Sequence, residues 1–413
     1  MVNIESSLIS GQCDDADPPR LRILYLASWY PHPEHPTYAI FIQVQAQALA
    51  RQHELLVVPV PRVLSLLSSP RNWVDRRELR RSPAGVFELH VRGPNYTPKC
   101  PNAYDRSLWR LYRHCFHEAT RFFGKLPDLI HAQVAVEAGY FASRLAQKYD
   151  RPLVLTEYIS RPDLLLKTPR DRKCFQYAMH APECVMSISP MQRDLLYKAG
   201  VQREIDVVPP LIDTEFFSPG PSMPLRSPRL IVVGNLIPRK GMHHLLEAIA
   251  RLGTSDGLHL QLEVVGRGPC RQELDDIAMS LGIAGRVRFH GEKSQQEIRD
   301  LLRSCHVYVC SSLTESFGIA VIEAMSVGLP VVVTRCGGPE FYVTHDHGVV
   351  VEPNSVEELV RGIRDVVSRL GKFDPQKQHQ YIVDHFSKEV VVHEVSKRYR
   401  LALERHAKLR GRM

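Results

Sequence analysis

Short apolar runs alternate with stretches of helical period along almost the whole chain. In the first half RILYLA (22–27), LLVVPV (55–60), DLIHA (128–132), LVLTE (153–157), CVMSIS (184–189) and IDVVPP (205–210) read as strands. Amphipathic stretches such as FIQVQAQALARQ after Ile40 and VEAGYFASRLAQKY after Val134 read as the helices between them. SPGPSMPLRSP, Ser218 to Pro228, places four prolines in eleven residues and interrupts the alternation as a linker. The pattern restarts with RLIVVG (229–234) and continues through LQLEVVG (260–266), VRFHG, VYVCS and PVVVT. The helical stretches MHHLLEAIARL, RQELDDIAMSLG, QQEIRDLLRSC and GIAVIEAMSVG lie between those strands. This is the pattern of parallel sheets covered by helices, repeated twice. It predicts a leader over 1–20, a doubly wound domain over 21–217, a linker over 218–228, a second doubly wound domain over 229–387, and a C-terminal helix with a basic tail over 388–413.

A length of 413 residues agrees with two domains of about 200 residues each, and a cleft between them is expected. With 44% apolar and 24% charged residues the composition is that of a globular protein, and no apolar run approaches the ~18 residues of a spanning helix. The N-terminal MVNIESSLISGQCDDADPP carries acids where a secretory signal would be basic and then apolar, so a disordered leader in a cytoplasmic protein is expected. The nine cysteines include no C-x-x-C, and Cys305 and Cys310 are expected to pack as small apolar groups. The formal charge of +8 is concentrated in the first half. Six arginines (62, 71, 76, 77, 80, 81) face only Asp75 and Glu78, and LWRLYRHCFHEATRFFGK interleaves Arg110, Arg113, Arg121 and Lys125 with aromatics. Two readings stand: solvated helix faces, or a surface for anionic lipid or a phosphate-bearing acceptor at the inner face of a membrane. Motifs for nucleic acid are absent, and no such partner is expected.

Phosphate-binding turns belong after strands that run into helices. VVGRGPCRQEL has Gly266 and Gly268 but Arg271 where a dinucleotide fingerprint needs its third glycine, and no P-loop occurs. VVGNLIPRKGMHHLLEA is the better candidate, with Arg239 and Lys240 just before a helix opened by Gly241, although an ordinary solvated turn would have the same composition. In TESFGIAVIEA, Glu315 and Glu323 lie eight residues apart. On one helix that is about 12 Å of rise, beyond the roughly 5 to 9.5 Å of glycosidase carboxyl pairs. An acid/base couple is therefore disfavoured. The strand VYVCSS predicts instead that Glu315 lies in a loop, that the helix begins near Ser316 or Phe317, and that Glu315 stands beside the N–H groups of Phe317 and Gly318. Glu323 would then reach the same ligand from further along the helix.

The segments ESFGIAVIE, GNLIPRKG, EVVGRGP and CGGPE (336–340) resemble retaining family 4 glycosyltransferases of the GT-B fold. The resemblance continues through ASWYPHPEHPTYAIF, PDLIHAQ, LVLTEY and VVPPLIDTEFF, and so covers nearly the whole chain. It implies two Rossmann-like domains facing a central cleft, the first holding the acceptor and the second a nucleotide-diphosphate sugar. By the same likeness Glu315 contacts donor-sugar hydroxyls and Glu323 the ribose. Lys240 with Arg239 binds the diphosphate, helped by the Phe317 and Gly318 amides, with Gly234, Asn235, Gly266 and Ser316 in the donor-binding turns. His131 and Tyr158 are acceptor-side or catalytic candidates, although His131, at a strand end, reads equally as a structural histidine, whereas His290, His243 and His244 read as structural or solvated. The chain departs from the family pattern at Ala39, where glycine is common, at Tyr158 in place of a histidine, at Pro210 in place of an asparagine, and at Asn235 in place of an arginine. The expected activity is transfer of a hexose-type sugar, with retention, to a hydroxyl of a glycan, glycolipid or small molecule. A nucleotide-sugar-binding protein without transfer and a phosphorylase are the alternatives. Neither a metal cluster nor an Asp-x-Asp in a suitable loop is visible, so no metal or other cofactor is expected.

Overall fold

The computed structural model describes residues 20–32, 38–65, 74–95, 103–161, 165–221 and 228–411. They form two compact units, one built from residues up to Leu211 together with Val391 onward, the other from Ile212–Val390. The leader expected over 1–20 lies outside the described residues except for Arg20, as do residues 222–227 of the expected linker. Ser218, at the start of that linker, is held by Arg303 through its carbonyl at 2.8 Å and its hydroxyl at 2.9 Å.

The N-terminal unit is centred on β1 (Arg22–Ala27), β2 (Glu54–Pro59), β6 (Leu129–Gln133), β7 (Leu153–Glu157) and β8 (Cys184–Ser187), all parallel. β6 and β7 are buried at every residue, as strands covered by helices on both faces must be. The nine-stranded sheet runs β3-β5-β2-β1-β6-β7-β8-β9, with β3 at Arg62–Ser65, β5 at Phe87–Asn95 and β9 at Asp206–Val207. β4 (Arg76–Arg81) pairs antiparallel with β5. The helices are α1 (Ile40–Gln52), α2 (Ala103–Phe123), α3 (Tyr140–Tyr149), α4 (Pro169–His180) and α5 (Pro190–Lys198).

Two expectations change here, and one holds. The arginine-rich stretch from Arg62 to Arg81 is not a helix face: its described parts are strands β3 and β4. RRELRR has no helical apolar stripe, while its partner β5 alternates buried Leu89 and Val91 with polar His90 and Arg92. Gly85, at φ +85°, supplies the left-handed residue in the turn between them. The second basic stretch is helical, with Leu108, Leu111, Tyr112, Cys115, Phe116 and Ala119 buried along one stripe of α2. Finally, the helix expected from Val136 begins only at Tyr140, because Val134 and Glu137 take positive φ of 74° and 68° and break its first turn.

The C-terminal unit is an all-parallel sheet of order β12-β11-β10-β13-β14-β15. These strands are β10 (Arg229–Val233), β11 (Gln261–Val265), β12 (Val287–Gly291), β13 (Val307–Cys310), β14 (Val331–Thr334) and β15 (Gly348–Val351). Between them run α6 (Met242–Ser255), α7 (Arg271–Ser280), α8 (Gln295–Arg303) and α9 (Ile319–Ser326), followed by α10 (Val356–Ser368) and α11 (Pro375–Phe386). The strand order reverses between β10 and β13, the switch point at whose C-terminal edge such sheets open a crevice. The last helix, α12 (Lys388–Arg410), packs from Val391 onward with the N-terminal unit, where the Tyr399 hydroxyl lies 2.7 Å from His131 Nδ1. Cys305 and Cys310 are buried, and burial pushes the Cys305 thiol up to about 12. Among the described residues no helix is long and apolar enough to cross a membrane.

Candidate functional site

The turn after β10 is shaped by close backbone approaches. A Cβ on Gly266 would lie 1.9 Å from the Gly234 carbonyl oxygen, and one on Gly268 would lie 2.3 Å from that of Leu236. These glycines therefore let two neighbouring loops touch, which explains their spacing without a dinucleotide. Pro238–Lys240 form a single tight turn ended by Gly241 at φ +60°, whose Cβ would lie 2.2 Å from the Ser311 carbonyl. The Leu313 amide donates to the Arg239 carbonyl at 2.7 Å, and the Ser311 hydroxyl to that of Lys240 at 2.9 Å. The turn is thus fastened to the loop that follows β13.

Glu315 sits on that loop, as expected, and its backbone amide donates to the Cys336 carbonyl at 2.8 Å. Its carboxylate accepts a hydrogen bond from Lys240 Nζ and another from Ser312 Oγ at 3.1 Å. Arg239 donates to the Thr314 carbonyl at 2.9 Å and stands 3.9 Å from the carboxylate. Lys240 leans across Gly234, so that a Cβ there would lie 3.5 Å from Nζ. Four residues from two segments 75 positions apart therefore converge at the C-terminal ends of β10 and β13. Ser312, which the sequence reading passed over, is the nearest hydroxyl to the carboxylate, and only its place three residues before Glu315 could have marked it.

Helix α9 starts at Ile319, slightly later than expected, because Gly318 at φ +86° ends the extended approach. Among the described residues the amides of Phe317 and Gly318 find no hydrogen-bond partner, whereas the Tyr342 hydroxyl donates to their carbonyls at 2.8 and 3.1 Å. Tyr342 was another residue missed in the sequence. It orients the loop so that those amides remain available to a ligand. Glu323 is buried in α9 with no hydrogen-bond partner among the described residues, and burial pushes its carboxyl up to about 8. Burial also drives the Tyr308 phenol well above its usual range, and the charges of Cys310, Glu315 and Glu323 add to that shift. Asn235 is exposed beside Gly234, and Ser316 is half-buried.

The other two candidates lie in the N-terminal unit. His131 is fully buried between the Tyr399 hydroxyl and Thr156 Oγ1, 2.8 Å from Nε2, and burial lowers its pKa to about 3. A neutral ring closed on both nitrogens belongs to the interior network that seats α12. The ring of Tyr158 is buried against Phe41 at 4.9 Å between centroids, and burial raises its pKa. Its amide and that of Ile159 donate to the buried Glu157 carboxylate at 2.7 and 2.9 Å. Of the histidines read as structural or solvated, His290 binds Glu263 at 2.6 Å, and the rings of His243 and His244 lie tilted at 47° with centroids 3.9 Å apart. Among the described residues no group of three or more His, Cys, Asp or Glu is placed to hold a metal ion.

Two Rossmann-like units with a cation–carboxylate cluster at the second switch point define the GT-B class of architecture. Residues 38–216 match Glycosyltransferase Family 4, and residues 213–388 match Glycosyl transferases group 1. The chain belongs to this glycosyltransferase family. It is 31% identical over 221 residues to the lipopolysaccharide core biosynthesis glycosyltransferase LpsE of Rhizobium meliloti (strain 1021), a match covering 51% of this chain but only 62% of LpsE. It is 24% identical over 360 residues to the putative teichuronic acid biosynthesis glycosyltransferase TuaC of Bacillus subtilis (strain 168), covering 83% of this chain and 88% of that one. The crystal structure of Anabaena Alr3699/HepE in complex with UDP superimposes with a TM-score of 0.71 at 18% identity, over 92% of this chain and 99% of that one, a likeness of fold.

Proposed function

We propose that the protein is a retaining glycosyltransferase that moves a hexose-type sugar from a nucleotide-diphosphate sugar to a hydroxyl acceptor. The convergence of Lys240, Arg239, Ser312 and Glu315 beside the free Phe317 and Gly318 amides carries this reading. A donor diphosphate brings about two negative charges, and charge taken out of water costs several kcal/mol unless it is paired. Lys240, Arg239 and the two amides answer that need. With Lys240 on the phosphates, Glu315 is free to accept hydrogen bonds from donor-sugar hydroxyls, and Glu323 takes the ribose. The positive cluster stabilises the departing diphosphate, which dominates the barrier. The acceptor oxygen attacks the anomeric carbon on the face the diphosphate leaves, its proton passes to a phosphate oxygen, and the configuration is retained. The cations supply the charge that a metal would otherwise bring, so the reaction proceeds without one.

A thermal-shift panel of nucleotide sugars tests donor binding, since ligand at a hundred times its Kd stabilises by about 2.7 kcal/mol. Product analysis with the stabilising donor then follows its sugar, with and without phosphate. The proposal expects transfer to a hydroxyl compound. Binding without turnover would overturn the enzymatic reading, and a product formed only with phosphate would make the protein a phosphorylase.

A further inference from the structure

We propose that the N-terminal unit carries a binding site for a phosphate group of the acceptor, built on a row of three arginines across adjacent strands. This rests on the glycosyltransfer reading for the word acceptor, but the anion site itself stands on the N-terminal unit alone. In the sheet register Arg92 of β5 lies directly opposite Arg62 of β3 on one side and Arg76 of β4 on the other. Residues directly opposite share a face with Cβ atoms about 4.5–5.5 Å apart, and like charges so placed repel.

The neighbouring rows of the same face show that this sheet can balance its charges. Two positions along, Glu78 lies opposite His90, and two further, Arg80 lies opposite Glu88. Arg80 is bound by Glu78 at 2.7 Å, and Glu88 accepts from the Tyr30 hydroxyl at 2.8 Å and stands 3.2 Å from His90. Asp75 lines the same cavity as the arginine row but pairs with Arg110 of α2, at the face where Gly93 meets that helix. Among the described residues the side chains of Arg62, Arg76 and Arg92 have no ion pair or hydrogen bond, although the Glu78 carboxylate feels the charge of Arg92. All three are exposed and line a cavity of about 700 Å³ at the C-terminal ends of β1 and β2, together with Ala27, Ser28, Pro59 and the carboxylates of Asp75 and Glu78, which are taken up by Arg110 and Arg80. That edge of a parallel sheet is where ligands bind. A row of planar guanidinium forks fits the oxygens of a phosphate ester, and such a ligand removes the repulsion that the free protein bears.

The test titrates the full chain with sn-glycerol phosphate by calorimetry, compares it with Arg92→Gln, and uses Arg113→Gln on the exposed face of α2 as the control. The expected result is binding by wild type and Arg113→Gln, at least about tenfold weaker binding in Arg92→Gln, and a higher Tm for ligand-free Arg92→Gln. UDP, ADP and GDP titrated in parallel should give the same affinities in all three proteins. Co-sedimentation with phosphatidylglycerol-containing phosphatidylcholine vesicles separates the sources. Capture that Arg92→Gln abolishes assigns a lipid headgroup, and glycerol phosphate binding without capture assigns a soluble phosphorylated acceptor. Equal phosphate affinity in Arg92→Gln and wild type, or no binding of either probe by wild type, overturns the proposal. Phosphate binding in a protein that takes none of the nucleotides leaves this site standing and removes the glycosyltransferase reading.

Discussion

The two units each gather positive charge at the C-terminal edge of a parallel sheet, but they hold it differently. In the C-terminal unit Lys240 and Arg239 are drawn to Glu315, and their backbone carbonyls are fixed by hydrogen bonds from the Ser311 hydroxyl and the Leu313 amide. In the N-terminal unit Arg62, Arg92 and Arg76 lie side by side, and the carboxylates that share their cavity, Asp75 and Glu78, pair with Arg110 and Arg80 instead. A cation paired in advance is ordered, and a ligand must exchange partners with it. An unpaired row destabilises the empty protein, and its repulsion is relieved when an anion arrives. The first arrangement suits chemistry, which needs position, and the second suits capture, which needs charge.

The comparison breaks most visibly at Glu315. Glu315→Gln removes a charged acceptor from the donor site, so transfer should fall ten- to a hundred-fold, the scale of about 1.5–3 kcal/mol for such a bond. The fold should be retained, because Ser312 can still bond the amide oxygen. Steady-state rates with the donor found by the panel check it, and a rate near wild type would remove Glu315 from the mechanism. Adding charge to the paired site should sharpen the contrast. Asn235 is exposed beside Gly234, and Asn235→Arg should tighten nucleoside diphosphate binding by about 1–2 kcal/mol, roughly tenfold, if the guanidinium reaches the phosphates.

A third expectation concerns pH. Glu323 has a folded pKa of about 8, raised by burial from its ordinary 4.5. Between those values the folded protein holds the proton and the unfolded chain does not, so stability falls as pH rises. The contribution is complete below about 4.5 and lost through about 8. Urea unfolding of wild type and Glu323→Gln across pH 5–8 should give a slope difference of that sign, and identical slopes would refute it. The smallest effect belongs to the N-terminal unit. Ala39 caps α1 at φ +51°, where a left-handed alanine costs about 1–2 kcal/mol and glycine loses about 0.5–1 in entropy. Ala39→Gly should therefore stabilise by about 0.5–1 kcal/mol, readable as a higher Tm.

Much of this architecture was legible in the chain. Strands buried on both faces read as unbroken apolar runs, and Glu315, Arg239 and Lys240 stood out where strands end and helices begin. The ion pair between Lys240 and Glu315 was not legible, because 75 residues and a strand crossing separate them. The arginine row was hidden for a different reason. RRELRR has a single apolar residue and no period of its own, so its strand is declared only by the partner β5 and by the turn at Gly85. His131 was open to two readings from its strand-end position, and only Tyr399 on α12 and Thr156 on β7, distant in sequence, close both ring nitrogens.

Calorimetric titration of wild type and Lys240→Ala with UDP, ADP and GDP tests the central claim most directly. The account predicts that wild type binds at least one of the three with 1:1 stoichiometry and that Lys240→Ala weakens it about a hundred-fold or more, near 2.7 kcal/mol. An unchanged affinity in Lys240→Ala would mean that the turn after β10 is not the phosphate site, and the assignment of Glu315 built upon it would fall as well.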